Sequence, residues 1–84
     1  MDKVEQRVKN VVARVLGIDI ARIKSEHSFT FDLGAQSVQS IELVAAFEEE
    51  FNVELDEDAA LNVSTVGDAV KFLADACKAQ GIAA

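Results

Sequence analysis

Apolar residues recur at three- and four-residue steps along most of the chain, the spacing of amphipathic helices. The first such stretch carries basic residues between its apolar positions and ends before Gly17, a residue type that commonly terminates helices. A second stretch runs from Ser37 to about Phe51, and a third starts at the capping-type residue Thr65. No run alternates for long enough to predict a strand. The pattern therefore predicts an all-α protein, a small four-helix bundle of three main helices and one short helix around residues 56–61.

Residues 18–36 form a long connection between the first two helices, and this connection is not uniformly polar. Five apolar side chains are expected to anchor it over the core: Ile18, Ile23, Phe29, Phe31 and Leu33. A connection of this length is unusual in a small domain and more often has a function than not.

The composition limits the function classes. The 84 residues are 50% apolar and contain no proline, which favours one globular, mainly helical domain over 1–84. The single cysteine, Cys77, and the single histidine, His27, allow neither an internal disulfide nor a Cys/His metal site. The first ten residues lack the apolar core of a signal peptide, and no stretch is long enough to span a membrane, so we expect a cytoplasmic protein.

Charge is concentrated in the middle of the chain. The net charge is −7, and residues 32–58 contain nine acidic and no basic side chains. Such a negative field repels nucleic acid and anionic membranes and attracts basic protein surfaces. No arrangement of residues indicates acid–base or nucleophilic catalysis, so we expect a monomeric binding protein and no enzyme.

Ser37 stands at the start of the second helical stretch, directly after the Asp32-Leu-Gly turn. A serine there can simply cap the helix by accepting a backbone N–H bond. The same position also suits a phosphate group, because free N–H groups and the positive end of the helix dipole favour an anion. Ser40, one turn further on, is the competing serine, with its hydroxyl expected to face the loop packing.

The segment DLGAQSVQSIELVAAFEEEFNVEL resembles the central segment of acyl carrier proteins, whose usual form is Asp-Leu-Gly-Ala-Asp-Ser-Leu, then Val/Ile-Glu-Leu and a Glu-Glu-Glu-Phe run. RVLGI, Phe29 and STVGDAVKFL extend the resemblance across nearly the whole chain. It implies the four-helix carrier bundle and a covalent 4'-phosphopantetheine arm on Ser37. The protein would hold acyl groups as thioesters on this arm, in fatty acid, lipid or polyketide-type biosynthesis.

The resemblance also implies contacts on the carrier. Acidic residues of the second helix would meet basic docking surfaces on a phosphopantetheinyl transferase and on acyl-transferring and chain-modifying enzymes. The expected partner-binding residues are Glu42, Glu48, Glu49, Val38 and Ile41. The residues expected to line a pocket for the acyl chain are Val44, Phe47, Leu61 and Leu73. The small side chains of Ala45 and Ala46 are expected to leave extra room for the acyl chain.

Three positions depart from the usual motif and leave alternatives open. Gln36 replaces the aspartate before the serine, Val38 replaces leucine, and Gln39 occupies a position that is often acidic. We therefore expect a specialised carrier in a dedicated pathway, recognised less well by general fatty-acid enzymes and their usual transferase. One alternative is an unmodified carrier-fold interaction module in which Ser37 is only a cap. Another is a peptidyl or aminoacyl carrier, which the acidic helix disfavours.

Overall fold

The computed structural model describes residues 2–83, and within this range it is all-α with four α-helices. The helices are α1 (Asp2–Leu16), α2 (Ser37–Phe51), α3 (Glu57–Leu61) and α4 (Val66–Ala79). This confirms the predicted bundle of three main helices and one short helix. The long connection contains one element that the pattern did not predict, a 3₁₀ turn over Ile20–Arg22.

Apolar side chains from α1, α2 and α4 form the core, and α1 packs against both other long helices. The contributions of these three helices are Val4, Val8, Val11 and Val12 from α1, Leu43, Phe47 and Phe51 from α2, and Val66, Ala69, Val70, Leu73 and Cys77 from α4. None of the buried residues within 2–83 is polar or charged. Burial of apolar side chains is therefore the main force that holds these helices together.

The long connection is held against the start of α4 by backbone hydrogen bonds. The N–H of Phe29 donates to the carbonyl of Ser64 at 3.0 Å, and the N–H of Gly67 donates to the carbonyl of Ser25 at 2.8 Å. A Cβ atom on Gly67 would lie 3.1 Å from that carbonyl oxygen. Glycine therefore permits the close approach of the two segments.

One predicted anchor of the connection faces solvent. Phe29 is buried as expected, but the side chain of Phe31 is 91% exposed. The N–H groups of Asp32 and Leu33 both donate to the carbonyl of Ser28, at 3.0 and 3.1 Å, and the N–H of Ser28 donates to Oδ2 of Asp32 at 2.7 Å. This tight turn reverses the chain and holds Phe31 at its tip, so the prediction that Phe31 anchors the core is wrong.

Candidate functional site

Ser37 is the first residue of α2, and its side chain is exposed. The N-cap residue is Gln36, which has extended backbone angles (φ −88°, ψ 167°) and whose N–H donates to Oε1 of Gln39 at 2.9 Å. The interpretation of Ser37 as the cap is therefore wrong. Its hydroxyl group has no capping role that would explain a serine at this position.

The turn before α2 sets the position of Ser37. Gly34 adopts φ 72°, a left-handed conformation that side-chain-bearing residues rarely tolerate. Ala35 is buried, and its N–H donates to the carbonyl of Phe29 at 2.8 Å. Because Ala35 is fixed on the core, α2 starts two residues later with Ser37 at the surface.

The backbone around Ser37 is suited to an anion. The first helical hydrogen bond runs from the N–H of Ser40 to the carbonyl of Gln36, at 2.9 Å. The N–H groups of Ser37 and Val38 therefore have no acceptor within the helix. They point out of the positive end of a 15-residue helix.

The three predicted acidic docking residues have different surroundings. Glu42 and Glu49 are exposed on α2. Glu48 is half-buried, and its Oε2 accepts the N–H of Leu55 at 2.9 Å, across the turn that follows α2. Glu42 and Glu49 are thus accessible from solvent, whereas Glu48 already stabilises the chain after α2.

A basic side chain from α1 offsets part of the acidic run. Nε of Arg7 lies 2.8 Å from Oε2 of Glu50, and a guanidinium nitrogen of Arg7 donates to the Glu50 carbonyl. The guanidinium also stacks 4.2 Å above the centre of the Phe51 ring. Glu50 is therefore engaged with α1. The exposed acidic surface of α2 is smaller than its number of glutamates suggests.

Exchange of Glu48 for alanine is expected to lower the free energy of unfolding by about 1 kcal/mol, because the partly buried N–H of Leu55 loses its acceptor. The matched change Glu49→Ala removes an exposed carboxylate and is expected to alter it by less than about 0.5 kcal/mol. Urea unfolding of both variants gives the comparison. Equal losses would show that the Glu48 hydrogen bond contributes nothing specific.

The two predicted apolar docking residues are accessible. Val38 is 66% exposed and Ile41 is 51% exposed, and they lie one turn apart on α2 directly after Ser37. They form an apolar surface next to the serine, bordered by Glu42.

A cavity of about 80 Å³ lies between α2, α3 and α4. All four residues predicted for the acyl pocket line it: Val44, Phe47, Leu61 and Leu73. Ser40 lines the same cavity, so its wall reaches to within one turn of Ser37 along α2. The structure therefore places the predicted pocket residues together, close to the candidate attachment residue.

Sequence reasoning missed much of the cavity wall. The additional lining residues are Phe29, Thr30, Ser40, Leu43, Leu55, Ala60, Val63, Ala69 and Phe72. On α4, the three- and four-residue steps from Ala69 to Phe72 and Leu73 are a signal that could have identified this face. Ala45 and Ala46 do not line the cavity, so the expectation that they leave extra room there is wrong.

Within residues 2–83 no helix combines the length and apolar character required to cross a membrane. In the same range, no group of three or more His, Cys, Asp or Glu side chains is placed to hold a metal ion.

Comparisons with known proteins agree with this geometry. A family model described as a phosphopantetheine attachment site matches residues 6–73. The chain is 51% identical over 73 residues to an acyl carrier protein of Sinorhizobium fredii (strain NBRC 101917 / NGR234) and to the acyl carrier protein AcpP of Rhizobium meliloti (strain 1021). Each match covers 87% of this chain and 94% of the relative.

A solved structure, that of a putative acyl carrier protein from Mycobacterium tuberculosis, superimposes with a TM-score of 0.80 at 28% sequence identity. The match covers 86% of this chain and 96% of that one. The family model and the relatives span most of the chain, including α2 and its first turn. The chain therefore belongs to the acyl carrier protein family, whose members are phosphopantetheine-bearing carriers and not enzymes.

Proposed function

We propose that the protein carries acyl intermediates as thioesters on a 4'-phosphopantetheine arm attached to Ser37, in fatty acid, lipid or polyketide-type biosynthesis. The observation that carries this proposal is the exposed Ser37 hydroxyl at the first turn of α2, in a position where it does not cap the helix. This serine lies within the residues that match the phosphopantetheine attachment family.

The residues around Ser37 fit a phosphodiester. The outward N–H groups at the start of α2 can donate to its oxygens, and the helix dipole favours its negative charge. The arm supplies a terminal thiol on which acyl groups are held. The exposed start of α2 leaves room for this arm, and the nearby cavity offers an apolar surface to an attached chain.

The cavity supports a sheltering role for short chains. A cavity of about 150 Å³ lined by aliphatic side chains can hold a benzene molecule, and the 80 Å³ here is about half of that. A longer chain requires one wall to move. α3 is the wall best suited to move, because it has five residues and none of them is buried.

The acidic surface supports transient enzyme partners with basic docking sites. In partner binding, exposed charges act mainly on the association rate and are screened by salt. The exposed Glu42 and Glu49 are the residues proposed for this role. A cytoplasmic, monomeric carrier domain over 1–84 is part of the proposal, supported by the single unpaired cysteine and the net charge of −7.

Exchange of both Glu42 and Glu49 for glutamine is expected to raise the KM of a partner enzyme several-fold at low salt, because two attractive charges are lost. The difference from the wild type should shrink as NaCl is added. Kinetics with a phosphopantetheinyl transferase over a range of NaCl concentrations measure this effect. A loss that is independent of salt would contradict the electrostatic role.

Intact mass after incubation with coenzyme A and a broad-specificity phosphopantetheinyl transferase tests the proposal. The wild-type chain is expected to gain the mass of one phosphopantetheine group, as the Ser37 oxygen bonds to phosphorus and adenosine 3',5'-bisphosphate leaves. An unchanged mass would favour the unmodified interaction module. If the mass does rise, loading assays of the modified protein with aminoacyl and acyl groups would separate a peptidyl carrier from an acyl carrier.

A further inference from the structure

Phe31 is the most exposed large apolar side chain within residues 2–83, at 91%. It does not belong to a loose segment, because an ordered turn holds it. Its own N–H donates to Oγ of Ser28 at 3.1 Å, and the N–H of Asp32 donates to the Ser28 carbonyl at 3.0 Å. A turn that is already ordered loses little backbone conformational freedom on binding.

Exposed apolar side chains are concentrated around Ser37 in the sequence, where Phe31, Val38 and Ile41 lie within six residues of it. Within residues 2–83, the exposed large apolar side chains are Phe31, Val38, Ile41 and Leu61. Leu61 lines the cavity. Phe31 lies in the turn that leads into α2, because the N–H of Ala35, two residues before Ser37, donates to the carbonyl of Phe29, two residues before Phe31. Single exposed apolar residues need no explanation, but several beside one candidate modification site indicate an interaction surface.

The charges around this group select the kind of partner. Glu42 follows Ile41 on α2, and Glu57 and Asp58 form the first turn of α3 before Leu61. A second copy of this chain, with its net charge of −7, would be repelled, as would an anionic membrane. The surface fits a protein partner with an apolar pocket bordered by arginine or lysine.

Resting on the proposed function, we infer that Phe31 anchors the phosphopantetheinyl transferase that modifies Ser37. An enzyme that transfers a group to the Ser37 oxygen must bring its active site to the surface of this chain. Its contact area therefore includes the neighbours of Ser37, and the turn that carries Phe31 directly precedes this serine. An aromatic side chain seated in a pocket is the usual centre of such an interface.

Steady-state kinetics of a broad-specificity transferase with coenzyme A test this inference. Phe31→Ser is expected to raise KM and to lower kcat/KM about tenfold, with kcat unchanged. Phe31→Tyr keeps an aromatic ring and is expected to stay within about twofold of the wild type. Ala79→Ser makes an exposed apolar residue polar at the far end of α4 and is expected to have no effect.

Two further readouts separate anchoring from other roles. Because Phe31 is exposed, Phe31→Ser should retain the wild-type melting temperature within about 2 °C. The loss should persist at high salt, unlike that of the variant with both Glu42 and Glu49 exchanged for glutamine, because apolar contacts are not screened. Wild-type KM for Phe31→Ser, or a loss confined to kcat, would overturn the inference while modification of Ser37 stands. If the wild-type chain gains no phosphopantetheine, the proposed function fails, and this inference fails with it.

Discussion

Replacement of Ser37 by alanine is expected to abolish modification by a broad-specificity phosphopantetheinyl transferase, with no mass gain in intact-mass spectrometry. Alanine offers no oxygen on which the phosphodiester can form, so the loss should be complete and not graded. The fold should be retained, because Ser37 is exposed and the N-cap residue is Gln36. The free energy of unfolding is expected to change by less than about 0.5 kcal/mol.

Ser40→Ala is the matched control for this experiment. Ser40 lies one turn along the same helix, is half-buried and lines the cavity. The Ser40→Ala protein should gain one phosphopantetheine group, as the wild type does. A mass gain in the Ser37→Ala protein would refute the assignment of Ser37, and peptide mapping would show which residue is modified instead.

Leu73→Ala is expected to cause the largest loss of stability among the changes considered. Leu73 is 1% exposed and contacts the core as well as the cavity. Truncation of a buried leucine costs about 2–5 kcal/mol, since apolar contacts are lost and a void remains. In a domain of this size that lowers the melting temperature by at least about 10 °C. Urea and thermal unfolding of the unmodified protein measure both quantities.

Leu61→Ala changes the same cavity at its rim. Leu61 is 41% exposed, so its truncation is expected to cost less than about 1 kcal/mol.

If the cavity shelters the acyl chain, attachment of a six-carbon acyl group should raise the melting temperature of Leu73→Ala more than that of the wild type, because the chain fills the enlarged void. Each methylene group it buries contributes about 0.8 kcal/mol. Equal shifts in both proteins would place the chain elsewhere.

Residue spacing predicts some features of the candidate site and not others. The position of Ser37 at the start of a helix and the burial of Val44, Phe47 and Leu73 follow from local periodicity, and the structure agrees. The different surroundings of the acids do not follow from it. Glu48 and Glu49 are adjacent and chemically identical. Their surroundings differ because the chain after α2 brings the N–H of Leu55 to the carboxylate of Glu48.

Phe31 is a residue for which the hydrophobic pattern predicts burial incorrectly. An apolar residue type predicts burial on average, but the turn closed by Ser28 and Asp32 holds this ring in solvent. Hydrogen bonds of backbone groups are obligatory, and here their geometry outweighs the preference of one side chain.

The amino-acid sequence by itself determined the three long helices, their core-facing positions, the motif around Ser37 and the excess of acidic charge, because all of these depend on residues close together along the chain. Only the tertiary structure decided which residues enclose the cavity, that Arg7 engages Glu50, and that Phe31 is exposed to solvent. These features depend on the approach of segments that are distant along the chain. The packing of α1, α2 and α4, together with the turns between them, sets that approach.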